Sequence, residues 1–301
     1  MFRNIRELVE AAQSQGVRMG DIMLAQEIEE TGRSREEVVG AMARQFAVMR
    51  SAAEKGIGGV ISHSGMTGGD AKKLAEYATQ GQPLTDTTLL KALTYAVAVN
   101  EVNASMGLVC ATPTAGACGV LPGVLLSVQE KLRKSDEDVV MALFTAGAVG
   151  FVIANNAFVS GAAGGCQAEI GTASAMAAAA ATELAGGSPV VAAHAMAMAL
   201  KNMLGLACDP LAGLVEVPCI KRNAAGAANA LAAAEMALAG IESRVPWDEV
   251  IQAMYQIGLS IPQSLRETAM GGLAATETGR RWKKLLWHPD IPETHPVENM
   301  I

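Results

Sequence analysis

The chain has 301 residues, half of them hydrophobic, and a formal net charge of −7. A chain this long and this apolar can bury a large core, and its acidic balance, with no lysine and arginine stripe interleaved with aromatics, argues against nucleic acid as a partner. Five cysteines in such a chain are no disulfide framework; they fit a reducing compartment, so the expected location is the cytoplasm and the thiols are either buried or metal-bound.

The first residues, Met1 to Leu8, are charged and amphipathic, without the apolar run of a secretory signal. Ile5, Leu8, Val9 and Ala12 fall on one helical face, which Gly16 ends. Asp21 reads as the cap of a second helix through Glu30, and Ser34 with Glu37 makes a capping box for a third that carries Val38, Met42 and Phe46. Residues 1–50 therefore form a helical N-terminal arm that either covers the core or meets a partner chain.

Gly56 to Asp70 is rich in glycine and hydroxyls. Its backbone N–H groups can turn toward one point, and Ser62, Ser64 and Thr67 add donors, which suits a carboxylate or other small anion as well as an ordinary turn between helices. It has neither a dinucleotide fingerprint nor a P-loop lysine at the right place. His63 is either a solvated loop residue or a base or carboxylate donor. Asp86 or Thr87 caps a helix to about Met106, and Thr112 to Gly119 turns into another apolar helix. Ser135 with Asp138 opens a helix that delivers Asn155 and Asn156, as a helix stop or as substrate contacts. The run from Val139 to Ala154 is shorter than the ~20 residues that span hydrocarbon, and Thr172 to Leu200 is broken by Glu183, Gly186-Gly187 and Pro189; both read as buried helices, and no membrane span is expected.

Cys166, Cys208 and Cys219 each stand at an expected helix start: after Gly161–Gly165, before Asp209-Pro210, and after Pro218. Unpaired N–H groups at a helix start favour a thiolate, and three thiolates suit an iron-sulfur centre. The cysteines are separated by 41 and 10 residues, unlike the compact iron-sulfur runs, so pattern alone favours buried apolar cysteine. Cys110 and Cys118 read as packed residues, the methionines as gap-fillers, and His194 as a packed or surface helix residue. Ser188-Pro189 opens a helix that Gly205 stops, Cys219 begins one that reaches Gly240, Pro246 begins another and Pro262 the last clear one. Only Gly213 to Val217 looks strand-like, and the tail over residues 281–301 is expected to be partly disordered. The expected architecture is all-α: residues 1–301 as a single helical domain of closely packed small-residue helices around a central glycine-rich site.

The strings Ser160-Gly161, Gly165-Cys166-Gln167-Ala168-Glu169-Ile170-Gly171, Cys208-Asp209-Pro210-Leu211-Ala212-Gly213 and Pro218-Cys219-Ile220-Lys221-Arg222-Asn223 resemble the iron-sulfur L-serine dehydratases. So do Thr112 to Gly119, whose counterpart lies near that family's active site, and Glu267 to Ala274. The likeness covers nearly the whole chain and is to the alpha chain of the two-subunit form. It implies a 4Fe-4S cluster on Cys166, Cys208 and Cys219 with its fourth iron open, where L-serine loses water to give pyruvate and ammonia without pyridoxal phosphate. On that reading Ser62, Ser64, Thr67 and Gly68 hold the substrate carboxylate, Lys221 or Arg222 assists, Thr114 and Asn155 contact substrate, and His63 is the base ahead of Glu169. The additional domain of larger members is not found in these residues, which implies a separate beta subunit. A cysteine desulfidase, releasing sulfide instead of water, and a non-catalytic iron-sulfur scaffold subunit are the competing readings.

Overall fold

Helix boundaries in the computed structural model, which describes residues 2–287, follow capping chemistry written in the sequence. α1 (Ile5–Gln15) starts at Asn4, whose side chain accepts the Glu7 N–H, and ends at Gly16 in the left-handed region at φ 66°. α2 (Met19–Thr31) starts at Arg18; Asp21 sits at its third position and accepts the Arg18 N–H, so it serves the cap from inside the helix and is not the cap itself. α3 (Arg35–Ile57) opens on the Ser34–Glu37 box. α4 (Asp70–Gln80) follows the glycine-rich loop, and α5 (Thr87–Ala104) is capped by Asp86. A 3-10 turn at Ala115–Ala117 leads into α6 (Val120–Leu132), and the Ser135–Asp138 box opens α7 (Asp136–Asn156). The short α8 (Gly161–Gly164) precedes α9 (Cys166–Leu184); then come α10 (Pro189–Asn202), capped by Ser188, and α11 (Cys219–Leu238). α12 (Trp247–Ser260) and α13 (Glu277–Trp287) complete an all-α fold among the described residues.

Every residue of α9 is buried, and α6, α7, α10 and α11 pack around it. Its alanines make this possible, because side chains of one carbon let neighbouring helices close in without voids. The same closeness recurs at glycines elsewhere: a Cβ at Gly56 of α3 would stand 2.3 Å from the Ala98 carbonyl of α5. α7 is long and apolar enough to cross a membrane by composition, yet its apolar positions from Val139 to Ile153 are covered by α2, α3 and α9. In the N-terminal residues α1 packs on α7, α10 and α12, and Asp248 of α12 accepts the Ile5 and Arg6 N–H groups at 2.8 and 3.2 Å. Of the tail set apart in the sequence, residues 281–287 belong to α13 and residues 288–301 lie outside the described residues.

Three further local expectations are overturned. Gly213 to Val217 is no strand: Leu211–Gly213 is a 3-10 turn with Ala212 at φ 53°, and the chain doubles back so that the Leu211 N–H reaches the Val217 carbonyl at 2.9 Å. Pro262 opens only a 3-10 turn, Gln263–Leu265, since Glu267 and Ala269 take φ of 61° and 53° and cannot extend a right-handed helix. Cys208 does not head a helix. It forms an isolated bridge with Arg266, its N–H reaching Leu265 O at 2.8 Å and its carbonyl accepting the Glu267 N–H at 2.7 Å. Asp209 beside it accepts the Leu273 N–H at 2.7 Å across the loop.

Candidate active site

Cys166 is the first residue of α9 and Cys219 the first of α11, so two of the three thiols stand at helix N-termini, where the next N–H groups are paired, Gln167 with Leu206 O at 2.9 Å and Ile220 with Glu216 O at 3.0 Å. Cys166, Cys208 and Cys219 are all buried. The Cys166 and Cys208 sulfurs and a carboxylate oxygen of Glu169, one turn into α9, lie within 4.8 Å of one another. Glycine permits this approach: a Cβ at Gly161 would stand 2.6 Å from Cys208 Sγ, and one at Gly116 would stand 2.5 Å from Glu169 Oε1. The Thr114 hydroxyl donates to the same Glu169 oxygen.

The electrostatics distinguish the thiols. A hydrogen bond from Cys208, and then the Arg222 guanidinium, hold the Cys166 thiol below its ordinary range, and the same bond pushes Cys208 up. Burial pushes up Cys219 and the Glu169 carboxyl, with nearby negative groups adding to both. Arg222 Nη1 lies 3.5 Å from Cys166 Sγ and donates to the Ala207 carbonyl at 2.8 Å. Its Nη2 is 2.9 Å from Asp209 Oδ1, an ion pair by distance without the angle of a directed hydrogen bond. This donor set fits an iron-sulfur group: three soft sulfurs in a buried site, two of them on the first residues of helices, and a guanidinium to offset negative charge. Arg266, bridged to Cys208, keeps a buried Nε without a partner among the described residues.

The glycine-rich segment forms a tight loop between α3 and α4. The Ser62 N–H reaches Thr67 O at 2.9 Å, and the His63 N–H binds the Ala104 carbonyl at the end of α5 at 3.2 Å. Gly68, at φ 147°, is required to be glycine, since a Cβ would stand 2.4 Å from Val60 O. The His63 side chain is exposed into a cleft of about 670 Å³ whose wall includes Ser64, Ala115, Glu216 and Trp287. The turn over residues 114–116 stands between this cleft and the thiols, with Ala115 on the cleft wall and Thr114 and Gly116 against Glu169.

A family profile described as "Serine dehydratase alpha chain" matches residues 14–274, which take in the glycine-rich loop and all three cysteines. The chain belongs to that family. It is 58% identical over 287 residues to the "Probable L-serine dehydratase, alpha chain" of Bacillus subtilis (strain 168), covering 95% of this chain and 96% of that one. It is 41% identical to the "L-serine dehydratase, alpha chain" of Peptoniphilus asaccharolyticus, over 94% of this chain and 98% of the relative. Similarity to "L-serine dehydratase 2" of Escherichia coli (strain K12) is 38% over 91% of this chain, but over only 61% of that longer protein. The resemblance drawn from the motifs holds at the level of the family.

Residues singled out in the sequence fall into three groups. Cys166 and Cys208 meet with Glu169, and Cys219 joins them at the head of α11, outside the set of atoms within 4.8 Å but close enough for Cys166 and Glu169 to act on its thiol. Ser62, Ser64, Thr67 and His63 share the loop by the cleft, but the Ser64 and Thr67 hydroxyls are spent on the Glu216 carboxylate. Others point elsewhere. Asn155 is exposed and returns its amide to Phe151 O at 2.8 Å, as a helix stop does, and it does not line the cleft. Lys221 pairs with Asp70 at the start of α4, and Arg222 turns to Cys166 and Asp209.

Sequence reasoning missed Glu216, Asp209 and Glu267. Each had a signal: a single acid in the apolar run Leu214-Val215-Glu216-Val217, an acid directly after Cys208, and an acid four residues before the Gly271-Gly272 pair.

Proposed function

We propose that this chain is the catalytic alpha chain of an iron-sulfur L-serine dehydratase, converting L-serine to pyruvate and ammonia. The observation that carries the proposal is the meeting of Cys166, Cys208 and Glu169 within 4.8 Å in a chain whose end-to-end relatives are named L-serine dehydratase alpha chains. Cys166, Cys208 and Cys219 would hold a 4Fe-4S cluster. When bound, an iron lacking a protein ligand supplies Lewis-acid polarisation of the substrate hydroxyl, making it a better leaving group.

The chain's own residues supply the rest. His63, exposed on the cleft wall, takes the Cα proton as the Cβ–O bond breaks; the departing hydroxyl takes up one proton, balancing the one His63 gains, and leaves as water, and the enamine tautomerises to an imine that water hydrolyses to pyruvate and ammonia. Glu169 is the second candidate for a proton-carrying group. Burial raises its carboxyl, which favours holding a proton nearer neutrality, and Thr114 fixes its orientation. Arg222 offsets the charge gathered on Cys166, and the turn over residues 114–116 stands between cleft and thiols.

The alpha-chain naming of these relatives supports a companion beta chain as partner. The test is anaerobic purification with and without that companion, followed by iron, acid-labile sulfide and pyruvate assays. Support is about four irons per chain and pyruvate from L-serine that appears or rises with the companion. Faster turnover of L-cysteine with sulfide release would replace this reading with a desulfidase, and iron without turnover of either amino acid would replace it with a scaffold.

A further inference from the structure

We infer that Glu216 is a positioning residue that sets the shape of the Ser62–Thr67 loop and ties it to the helix bearing Cys219. The inference rests on the proposed function, in which L-serine enters the cleft beside this loop and His63 acts on it. Each hydroxyl has one proton to give. Ser64 Oγ and Thr67 Oγ1 both donate to Glu216 Oε2 at 2.9 Å. With the Ser64 proton so used, the 3.2 Å contact between Ser62 Oγ and Ser64 Oγ has Ser62 as donor. All three hydroxyl protons thus lead, directly or through Ser64, to a single carboxylate oxygen.

The acceptor sides are engaged as well: Ser62 Oγ receives the Thr67 N–H at 3.2 Å and Ser64 Oγ the Met66 N–H at 3.0 Å. The hydroxyls therefore act on the loop, and a substrate carboxylate cannot take one of their protons without displacing Glu216. Glu216 is itself 5% exposed, and its carbonyl accepts the Ile220 N–H at 3.0 Å in the first turn of α11, where Cys219 is the first residue. One residue thereby fixes the loop carrying His63 through its side chain and the head of a cysteine helix through its backbone.

The role requires an acceptor oxygen at position 216, which glutamine retains and alanine removes. The experiment compares Glu216→Ala and Glu216→Gln by steady-state kinetics with L-serine and by hydrogen exchange of the amides over residues 60–69. Expected for Glu216→Ala is a KM raised by about tenfold or more, the loss of charge-assisted hydrogen bonds, with faster loop exchange and unchanged iron per chain. Glu216→Gln should bring KM back to within about threefold of wild type and restore loop protection. A Glu216→Ala protein with wild-type KM and exchange overturns the inference, and so does a Gln variant as impaired as Ala. Should Glu216→Ala fail to fold, the double variant Ser64→Ala/Thr67→Val removes the donors from the other side and must show the same loop exchange. If the wild-type protein makes no pyruvate, the functional reading fails, while the exchange comparison still decides the role of Glu216.

Discussion

At the scale of single residues, the five cysteines divide by what surrounds their sulfurs. Cys118 has its thiol pushed up to about 12 by burial, and it sits under the Asn100 amide at 3.5 Å, with no arginine beside it among the described contacts. Cys166 has Cys208 and Arg222 against it. Cys166→Ala, Cys208→Ala and Cys219→Ala should each abolish iron retention, and Cys118→Ala should keep it, as read by iron and acid-labile sulfide after anaerobic purification. Release of iron by Cys118→Ala alone would reassign the ligands. His63→Asn should keep both fold and iron, because the side chain is exposed, while kcat falls by ~10² to 10⁴. A near-normal kcat with an unchanged isotope effect on Cα-deuterated serine would pass the base role to Glu169. The meeting of Cys166 and Cys208 was legible through the family resemblance of their strings and not through their spacing. The partners of those residues were not, since Arg222 next to Lys221 gives no sign in the sequence that one faces Cys166 and the other Asp70.

At the scale of elements, local chemistry and tertiary packing can be separated by experiment. The capping boxes at Ser34 and Ser135 act within four residues, so the sequence predicts them directly; the Cys208 loop is shaped by Leu265 and Glu267, more than fifty residues on, so it does not. Glycines show the same division. Gly56→Ala puts a methyl against the Ala98 backbone and should cost about 1–3 kcal/mol. A methyl added at Gly147 of α7 would meet nothing within 4 Å, so Gly147→Ala should stabilise by ~0.5–1 kcal/mol in urea melts. Equal effects of the two would contradict the packing described. Glu183 of α9 tests the α2–α9 junction, where it accepts the Met19 N–H at 2.9 Å and the Thr145 hydroxyl. Burial raises its carboxyl, so the folded chain binds this proton more tightly than the unfolded chain. That contribution is fully present below the ordinary value of 4.5 and is lost as pH rises through the higher folded value. The stability of wild type relative to Glu183→Gln should therefore grow as the buffer is taken from about pH 8 to about pH 5. A flat or inverted trend would show that Glu183 titrates as an ordinary carboxyl.

At the scale of the whole molecule, the helical frame lends the site only the first turns of α9 and α11, with Cys166, Glu169, Cys219 and Arg222. α9 is buried along its length by α6, α7, α10 and α11. The site is assembled from loops that enter at helix ends: 62–68, 112–119, 160–166, 207–219 and 266–273. Polar links between distant segments join these loops, including Cys208 to Leu265 and Glu267, and Asp209 to Leu273. A cluster that binds only the assembled site adds stability by mass action, and its removal should loosen what it joins before it loosens the frame. Stripping iron with a chelator under reducing conditions should thus leave far-UV circular dichroism and amide protection of α7 and α9 near their starting values. Protection over residues 203–218 and 263–276 should fall, with the Cys208 and Glu267 amides, bonded to Leu265 O and Cys208 O, among the first to exchange. Joint loss of helix signal and loop protection would mean that frame and site unfold as one cooperative unit. Loop protection unmoved by iron removal would mean that the hydrogen bonds alone hold the site, and that the thiols are brought together by the fold before any metal arrives.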